Sequence, residues 1–249
     1  MKYSNLTIIG TSHIAKQSVV EITDAIYELK PDIIAIELDH RRYHALLSKA
    51  KHRIRLSDIR RIGLKGFIFA LLAQYAQKTL GKYAGLDPGA DMLTAINIAH
   101  HRNIKISFID QDIEITFRRF SQSLTWKEKW NFVVDLFRAI FFRKSEIKKL
   151  GIENFDLTKV PEKKLIEKLL KKLKERYPFV YKVLITERNT VMSRNLYHLM
   201  QSNPDKQILA VVGAGHTDDL IKLIKKLHSS KADIVGSSLS YSFTANVSE

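Results

Sequence analysis

Two histidines stand in the same local frame near opposite ends of this chain. Gly10-Thr11-Ser12-His13 and Gly213-Ala214-Gly215-His216 both read GxxH. Each follows an apolar run, Leu6 to Ile9 and Ile208 to Val212, of the kind that forms a buried strand. A strand that stops at a glycine and delivers a histidine three residues later presents an imidazole at a sheet edge. The repetition, about two hundred residues apart, suggests one site built from both motifs.

Carboxylates fall at comparable places. Glu37 and Asp39 close the apolar run Ile33 to Leu38, Asp110 and Asp112 follow Ile104 to Ile109, and Asp91 opens a helix after Pro88-Gly89. Two histidines with one or two carboxylates suffice to ligate Mn, Fe, Co or Zn and leave positions open. Such a metal polarises a carbonyl and lowers the pKa of its water, so hydrolysis is the matching chemistry. A nearby Glu then takes the water proton, and Arg42 binds an oxyanion or a substrate carboxylate. Each residue also has a structural explanation. Asp91, Asp110 and Asp112 suit helix caps or first-turn acids. Glu37, ionised in an apolar strand, needs a partner, and Arg42 is the near one. Gly213-Ala214-Gly215 also suits a phosphate-cradling turn at a helix N-terminus, although the full G-x-x-x-x-G-K-[ST] pattern is absent.

The elements needed to position these residues are legible. Leu6 to Ile9 and Asp32 to Leu38 read as strands joined by a helix over Ala15 to Leu29, which makes a βαβ unit and a parallel sheet. Ile104 to Ile109 and Ile208 to Val212 add strands, and Ala232 to Val235 is a candidate last one. Helices are expected from about Phe67 to Leu80, after Pro88-Gly89-Ala90-Asp91, and over Trp126 to Phe142, Pro161 to Arg176, Val183 to Gln201 and Asp218 to Leu227. The fold class is α/β: a mostly parallel central sheet flanked by helices. The whole of 1–249 reads as one domain, with about 121–182 as a helical insertion. In such sheets ligands bind beyond the carboxyl ends of the strands.

Composition narrows the classes. The chain has no cysteine, which excludes disulfides, thiolate metal sites and a thiol nucleophile. Its net charge of +15 attracts polyanions, but the lysine clusters lack the interleaved aromatics of a nucleic-acid groove, so nucleic acid is not the expected partner. The basic segment Arg41 to Lys65 beside the apolar helix from Phe67 suits an anionic membrane surface. No signal peptide or membrane span is read. The expectation is a cytoplasmic protein, or one peripheral at the cytoplasmic face of a membrane.

The motifs occur in a familiar order. Ile9-Gly10-Thr11-Ser12-His13 is followed by Lys30-Pro31-Asp32, Ile36-Glu37-Leu38-Asp39 and Arg42-Tyr43. Then come Pro88-Gly89-Ala90-Asp91-Met92, Asp110-Gln111-Asp112 with Thr116 and Arg119, Glu187-Arg188 with Met192, and Val211-Val212-Gly213-Ala214-Gly215-His216. Across most of the chain this resembles the TraB/PrgY family, whose founding members shut down bacterial pheromone activity. That family is similar to the Tiki metalloproteases and, more distantly, to erythromycin esterases and ChaN-like proteins.

The resemblance implies an α/β core and a metal-dependent hydrolase of peptidase type acting on peptides. It implies His13, His216, Glu37 and Asp91 around a divalent metal (Mn, Co or Zn), Glu37 and Arg42 as catalytic residues, and Asp110, Asp112, Arg119, Glu187 and Arg188 as substrate-binding or supporting residues. Two positions depart from the family pattern: Asp91 stands where Glu is usual, and Gln111 replaces an arginine. These departures favour the alternative of a non-catalytic peptide-binding or sequestering protein, which would suit a homodimer. Many relatives carry a C-terminal membrane region; none is read before Glu249, so a soluble member or a shortened chain is expected.

Overall fold

The computed structural model describes residues 1–12, 16–47, 59, 60, 63, 67, 89–123, 125–141 and 162–244. His13, most of the basic segment Arg41 to Lys65 and most of the helix expected from Phe67 lie outside them.

Five strands form one sheet: β1 (Lys2–Tyr3), β2 (Leu6–Thr11), β3 (Ile33–Ile36), β4 (Lys105–Phe108) and β5 (Ile208–Gly213), in the order β1-β2-β5-β3-β4. All neighbours are parallel except the short antiparallel β1. The last strand in sequence is thus the central one in space. All of its residues are buried, which is why Ile208 to Val212 reads as a continuous apolar run rather than an alternating one.

The helices are α1 (Lys16–Leu29), α2 (His40–Leu47), α3 (Ala90–His101), α4 (Ile113–Ser123), α5 (Trp126–Phe141), α6 (Lys163–Arg176), α7 (Pro178–Tyr181), α8 (Arg188–Ser202) and α9 (Thr217–Thr244), with a π-helical turn over Lys182–Glu187 that runs into α8. They cover both sheet faces. Ile34, Ile36, Leu209 and Val211 pack against Ile22 and Ile26 of α1 and Met92, Ala95, Ile96 and Ala99 of α3. Leu6, Ile8, Ile33, Ala210 and Val212 face Met192 and Leu196 of α8 and Leu220 and Ile224 of α9. The period-two alternation along each strand splits the core into these two layers.

The strand expected at Ala232 to Val235 is absent; those residues continue α9. A short apolar stretch of this length does not distinguish strand from helix. Within the expected insertion, α5 is tied to the end of α6 and the start of α7. Asp135 accepts from Nε and Nη2 of Arg176 at 2.5 Å each and from the Tyr177 hydroxyl at 2.6 Å. Burial and that carboxylate push the Tyr177 hydroxyl up to about 12. Glu128 accepts the Phe179 N–H at 2.7 Å, capping the entry to α7. Among the described residues no helix is long and apolar enough to cross a membrane.

The in-register pairing of β2 with β5 matters most. Gly10 lies opposite Val212 and Thr11 opposite Gly213, and the Ala214 N–H donates to the Thr11 carbonyl at 2.8 Å. The starts of the two GxxH motifs are therefore bonded side by side. Gly10 allows this: a Cβ there would stand 2.9 Å from Ala214 Cα and 2.8 Å from the Thr217 methyl. At Gly215 the nearest atoms to an added Cβ are 3.8 Å away, on Leu170. Gly10→Ala is accordingly expected to destabilise the protein by about 1–3 kcal/mol, whereas Gly215→Ala stays within about 0.5 kcal/mol of the parent. Urea denaturation of both variants checks the contrast.

Candidate active site

The carboxyl ends of β2, β5, β3 and β4 share one rim, and buried charge is concentrated there. Glu37 directly follows β3 and is 5% exposed. Its backbone N–H donates to the Val211 carbonyl at 3.1 Å, which continues the pairing with β5. Glu37 Oε2 accepts the Gly213 N–H at 2.5 Å. Glu37 Oε1 accepts from Arg188 Nη2, and His216 Nε2 stands 3.6 Å from the same oxygen.

Arg188 opens α8 immediately after the π-helical turn. Such turns shift the face a helix presents and recur at functional sites. Its Nε and Nη2 grip Asp110 at 3.0 and 2.5 Å while Nη2 also reaches Glu37. Burial works against its charge, but Glu37 and Asp110 outweigh that and hold the guanidinium pKa above its ordinary value. Asp110 has a fully buried side chain and accepts a second guanidinium, Arg42 Nη2 at 2.5 Å, as well as the Gln111 N–H at 2.7 Å. Arg42 also bonds Asp39 through Nε at 2.6 Å. Burial raises the Asp39 pKa, and the charge and hydrogen bonds of Arg42 together with the Arg41 N–H more than reverse this, leaving the carboxyl below the usual range. Acid and base thus alternate from Asp39 through Arg42, Asp110 and Arg188 to Glu37.

The remaining candidates sit around this chain of contacts. Asp91 is 1% exposed; it accepts the Thr11 hydroxyl at 2.6 Å and the Met92 N–H at 2.8 Å. It therefore braces the end of β2 just before the first GxxH histidine, as well as the first turn of α3. Asp112 is a helix cap, accepting the Glu114 N–H at 2.7 Å, and lies 3.6 Å from Arg41. Arg119 and Glu187 pair at 3.5 Å on the periphery. Gln111 donates to Thr116 Oγ1 at 3.2 Å.

Two relations differ from the local expectation. The arginine of Glu37 is Arg188, not Arg42, which serves Asp39 and Asp110 instead. His216 is held by Asn189, which Asp219 holds in turn, and its motif includes neither. Its Nδ1 lies 2.5 Å from Asn189 Oδ1, and Asn189 Nδ2 lies 3.3 Å from Asp219 Oδ2. The available signal was adjacency: Asn189 follows Arg188, and Asp219 stands three residues beyond His216.

The donors that converge among the described residues are His216 and Glu37, an imidazole and a carboxylate suited to a borderline divalent ion. Among the described residues no group of three or more His, Asp or Glu gathers as a complete ligand set. Next to the Ala214-Gly215 turn opens a cleft of about 500 Å³. Ile166, Leu170, Tyr181 and Gly215 line it with the charged Lys163, Lys174 and Asp218.

Arg188→Met leaves Glu37 and Asp110 buried without their shared cation, and is expected to cost about 3–5 kcal/mol at neutral pH. The loss should shrink in acid as Glu37, left without its guanidinium partner, takes up a proton, whereas Asp110 keeps Arg42. In the parent, the depressed Asp39 pKa contributes stability above the ordinary value of 3.8, and this is lost as pH falls through the folded-state value. Asp39→Asn should therefore flatten the acid limb of stability against pH, measured by urea denaturation across a pH series.

The profile of the TraB/PrgY/gumN family matches residues 2–233. Among curated proteins, the uncharacterized protein MJ1365 of Methanocaldococcus jannaschii is 34% identical over 90% of this chain and 54% of its own length. The TraB domain-containing proteins of Mus musculus and Homo sapiens are each 22% identical over 88% of this chain and 62% of theirs. The chain thus spans between half and two thirds of the length of these relatives. With its motifs in family order and the match covering nearly the whole sheet and its helices, the chain belongs to the TraB/PrgY/gumN family.

Proposed function

We propose that this chain is a metal-dependent hydrolase of peptidase type that acts on peptides. The observation that carries the reading is the approach of His216 Nε2 to Glu37 Oε1, 3.6 Å apart and buried, at the rim where both GxxH strands end in register. His216, Glu37, Asp91 and His13 would hold a divalent ion, Mn, Co or Zn, which when bound supplies Lewis acidity and an acidified water.

The protein's own groups do the positioning. The Gly213 N–H and the Arg188 guanidinium fix the two oxygens of Glu37, so that Oε1 faces the imidazole, where it can accept a proton from an attacking water. Arg42 holds Asp110, and Asp110 holds Arg188. Asp91 ties the end of β2 to α3. The cleft beside Gly215 is of a size that suits a peptide segment.

A second reading, a peptide-binding protein without turnover, draws on the same contacts. Both Glu37 oxygens and both Asp91 oxygens are engaged by fixed donors, which suits a purely structural role. The basic segment from Arg41 supports a further association of either form with anionic lipid.

Elemental analysis and calorimetry with Mn, Co and Zn test the first reading. The parent is expected to bind one of these ions, and His13→Ala and His216→Ala to lose at least tenfold in affinity. If both variants bind as the parent does, the shared site is wrong. Peptide cleavage that stops on chelation supports hydrolysis, whereas peptide binding that survives chelation with no product by mass spectrometry supports the second reading.

A further inference from the structure

His216 is 6% exposed and Asn189 2% exposed, so the contact between them is shielded from water. Asn189 is the second residue of α8, and Asp219 lies in the first turn of α9. Their contacts form a line: Asp219 Oδ2 to Asn189 Nδ2 at 3.3 Å, then Asn189 Oδ1 to His216 Nδ1 at 2.5 Å. The direction of this line follows from chemistry. A carboxylate oxygen only accepts, so the amide must turn its NH2 toward Asp219. The amide oxygen is then the end that meets the imidazole, and it too only accepts. The proton of the neutral ring must therefore sit on Nδ1.

We propose that Asp219 and Asn189 act together as positioning residues that lock His216 in the Nδ1–H tautomer, which places the ring's lone pair on Nε2, the nitrogen turned toward Glu37. The hydrogen bond at one ring nitrogen decides the state of the other, and partners behind a metal-bound histidine orient it and raise its basicity. The same lock serves a proton acceptor. The use of Nε2 as ligand or base rests on the hydrolase reading; the tautomer does not.

The lock also explains the placement of α8. Consecutive residues Arg188 and Asn189 engage Glu37 and His216 respectively. Both groups of the site are thus steadied from one helical turn, while Asp219 secures the amide from α9. The other Asp219 oxygen, Oδ1, faces Lys222 at 3.9 Å.

The test is nitrogen-15 NMR on the full chain labelled at histidine, in mildly alkaline buffer, with His216 assigned through His216→Gln. The parent should show His216 with a protonated, pyrrole-type Nδ1 and an unprotonated, pyridine-type Nε2. Asn189→Asp, which keeps an acceptor, should preserve that state. Asn189→Leu and Asp219→Ala should both move the ring toward a mixture of tautomers or toward Nε2–H. Asp219 is 43% exposed at its side chain, so Asp219→Ala keeps the test decisive if Asn189→Leu fails to fold. A parent with Nε2–H, or an Asp219→Ala protein whose tautomer is unchanged, overturns the proposal. Calorimetry with Mn, Co and Zn separates the two claims: Asp219→Ala should lose roughly 10–100-fold in affinity. A parent that shows the Nδ1–H ring but binds none of these ions sinks the hydrolase reading and leaves the lock standing.

Discussion

The half-buried Arg188 guanidinium, held between the buried carboxylates of Glu37 and Asp110, is the contact on which the rim of this sheet depends. Desolvating ions is costly, and a buried pair is tolerated only when geometry and additional hydrogen bonds satisfy every member. Here that condition binds several elements at once. Glu37 comes from the end of β3, Asp110 follows β4, Arg188 opens α8 and Arg42 belongs to α2; the Gly213 N–H of β5 completes Glu37. None of these groups can be buried satisfactorily until the others arrive. The network therefore discriminates against a slipped strand or a shifted helix in a way that the apolar layers, which tolerate exchange of similar volumes, do not.

The two GxxH motifs acquire their meaning from strand order. Because β5 inserts between β2 and β3, the ends of all three lie side by side, and Ala214 is bonded to Thr11. The glycines serve different needs. Gly10 must lack a Cβ because the Ala214 backbone occupies that space. Gly213 contributes its N–H to Glu37. Gly10 thus reflects how closely the two chain segments pass, and His216 comes three residues after Gly213, past the end of β5.

Much of this architecture is legible in the residues alone. The apolar runs at Leu6 to Ile9, Ile33 to Leu38 and Ile208 to Val212 and the alternating stretch Ile104 to Ile109 each yield a strand. Burial on both faces leaves a continuous hydrophobic signature at β3 and β5, whereas the partly exposed edge strand β4 alternates. Glu37, Asp110 and His216 stand out because a charged or polar group beside such a run needs a reason. Strand order is not legible, since periodicity reports burial and not neighbours. The two-residue β1 is too short to carry a pattern. The stretch Ala232 to Val235 is apolar enough for either element, and it is continuity with the preceding helix that decides it. The pairing of Glu37 is hidden for a similar reason. Arg42 is five residues away in sequence, and Arg188 is 151; only the fold brings the distant arginine closer than the near one.

The choice of arginine at position 188 follows from what one group must do. It uses Nε and Nη2 as a planar fork on Asp110 while Nη2 also meets Glu37, a division that the compact ammonium of a lysine cannot reproduce. With the fork seated, the next residue, Asn189, is carried to His216, so the two side chains that converge at the rim are oriented from one place. The π-helical turn immediately before Arg188 sets that aim, because an added residue per turn rotates everything after it. A displacement of the first turn of α8 would therefore move Glu37 and His216 out of register together, while the apolar contacts of Met192 and Leu196 further along the helix could persist. Among the described residues the most heavily desolvated ion pairs and the geometry of the candidate site are the same set of contacts. That is why sequence motifs from four separate strand ends have to be read jointly.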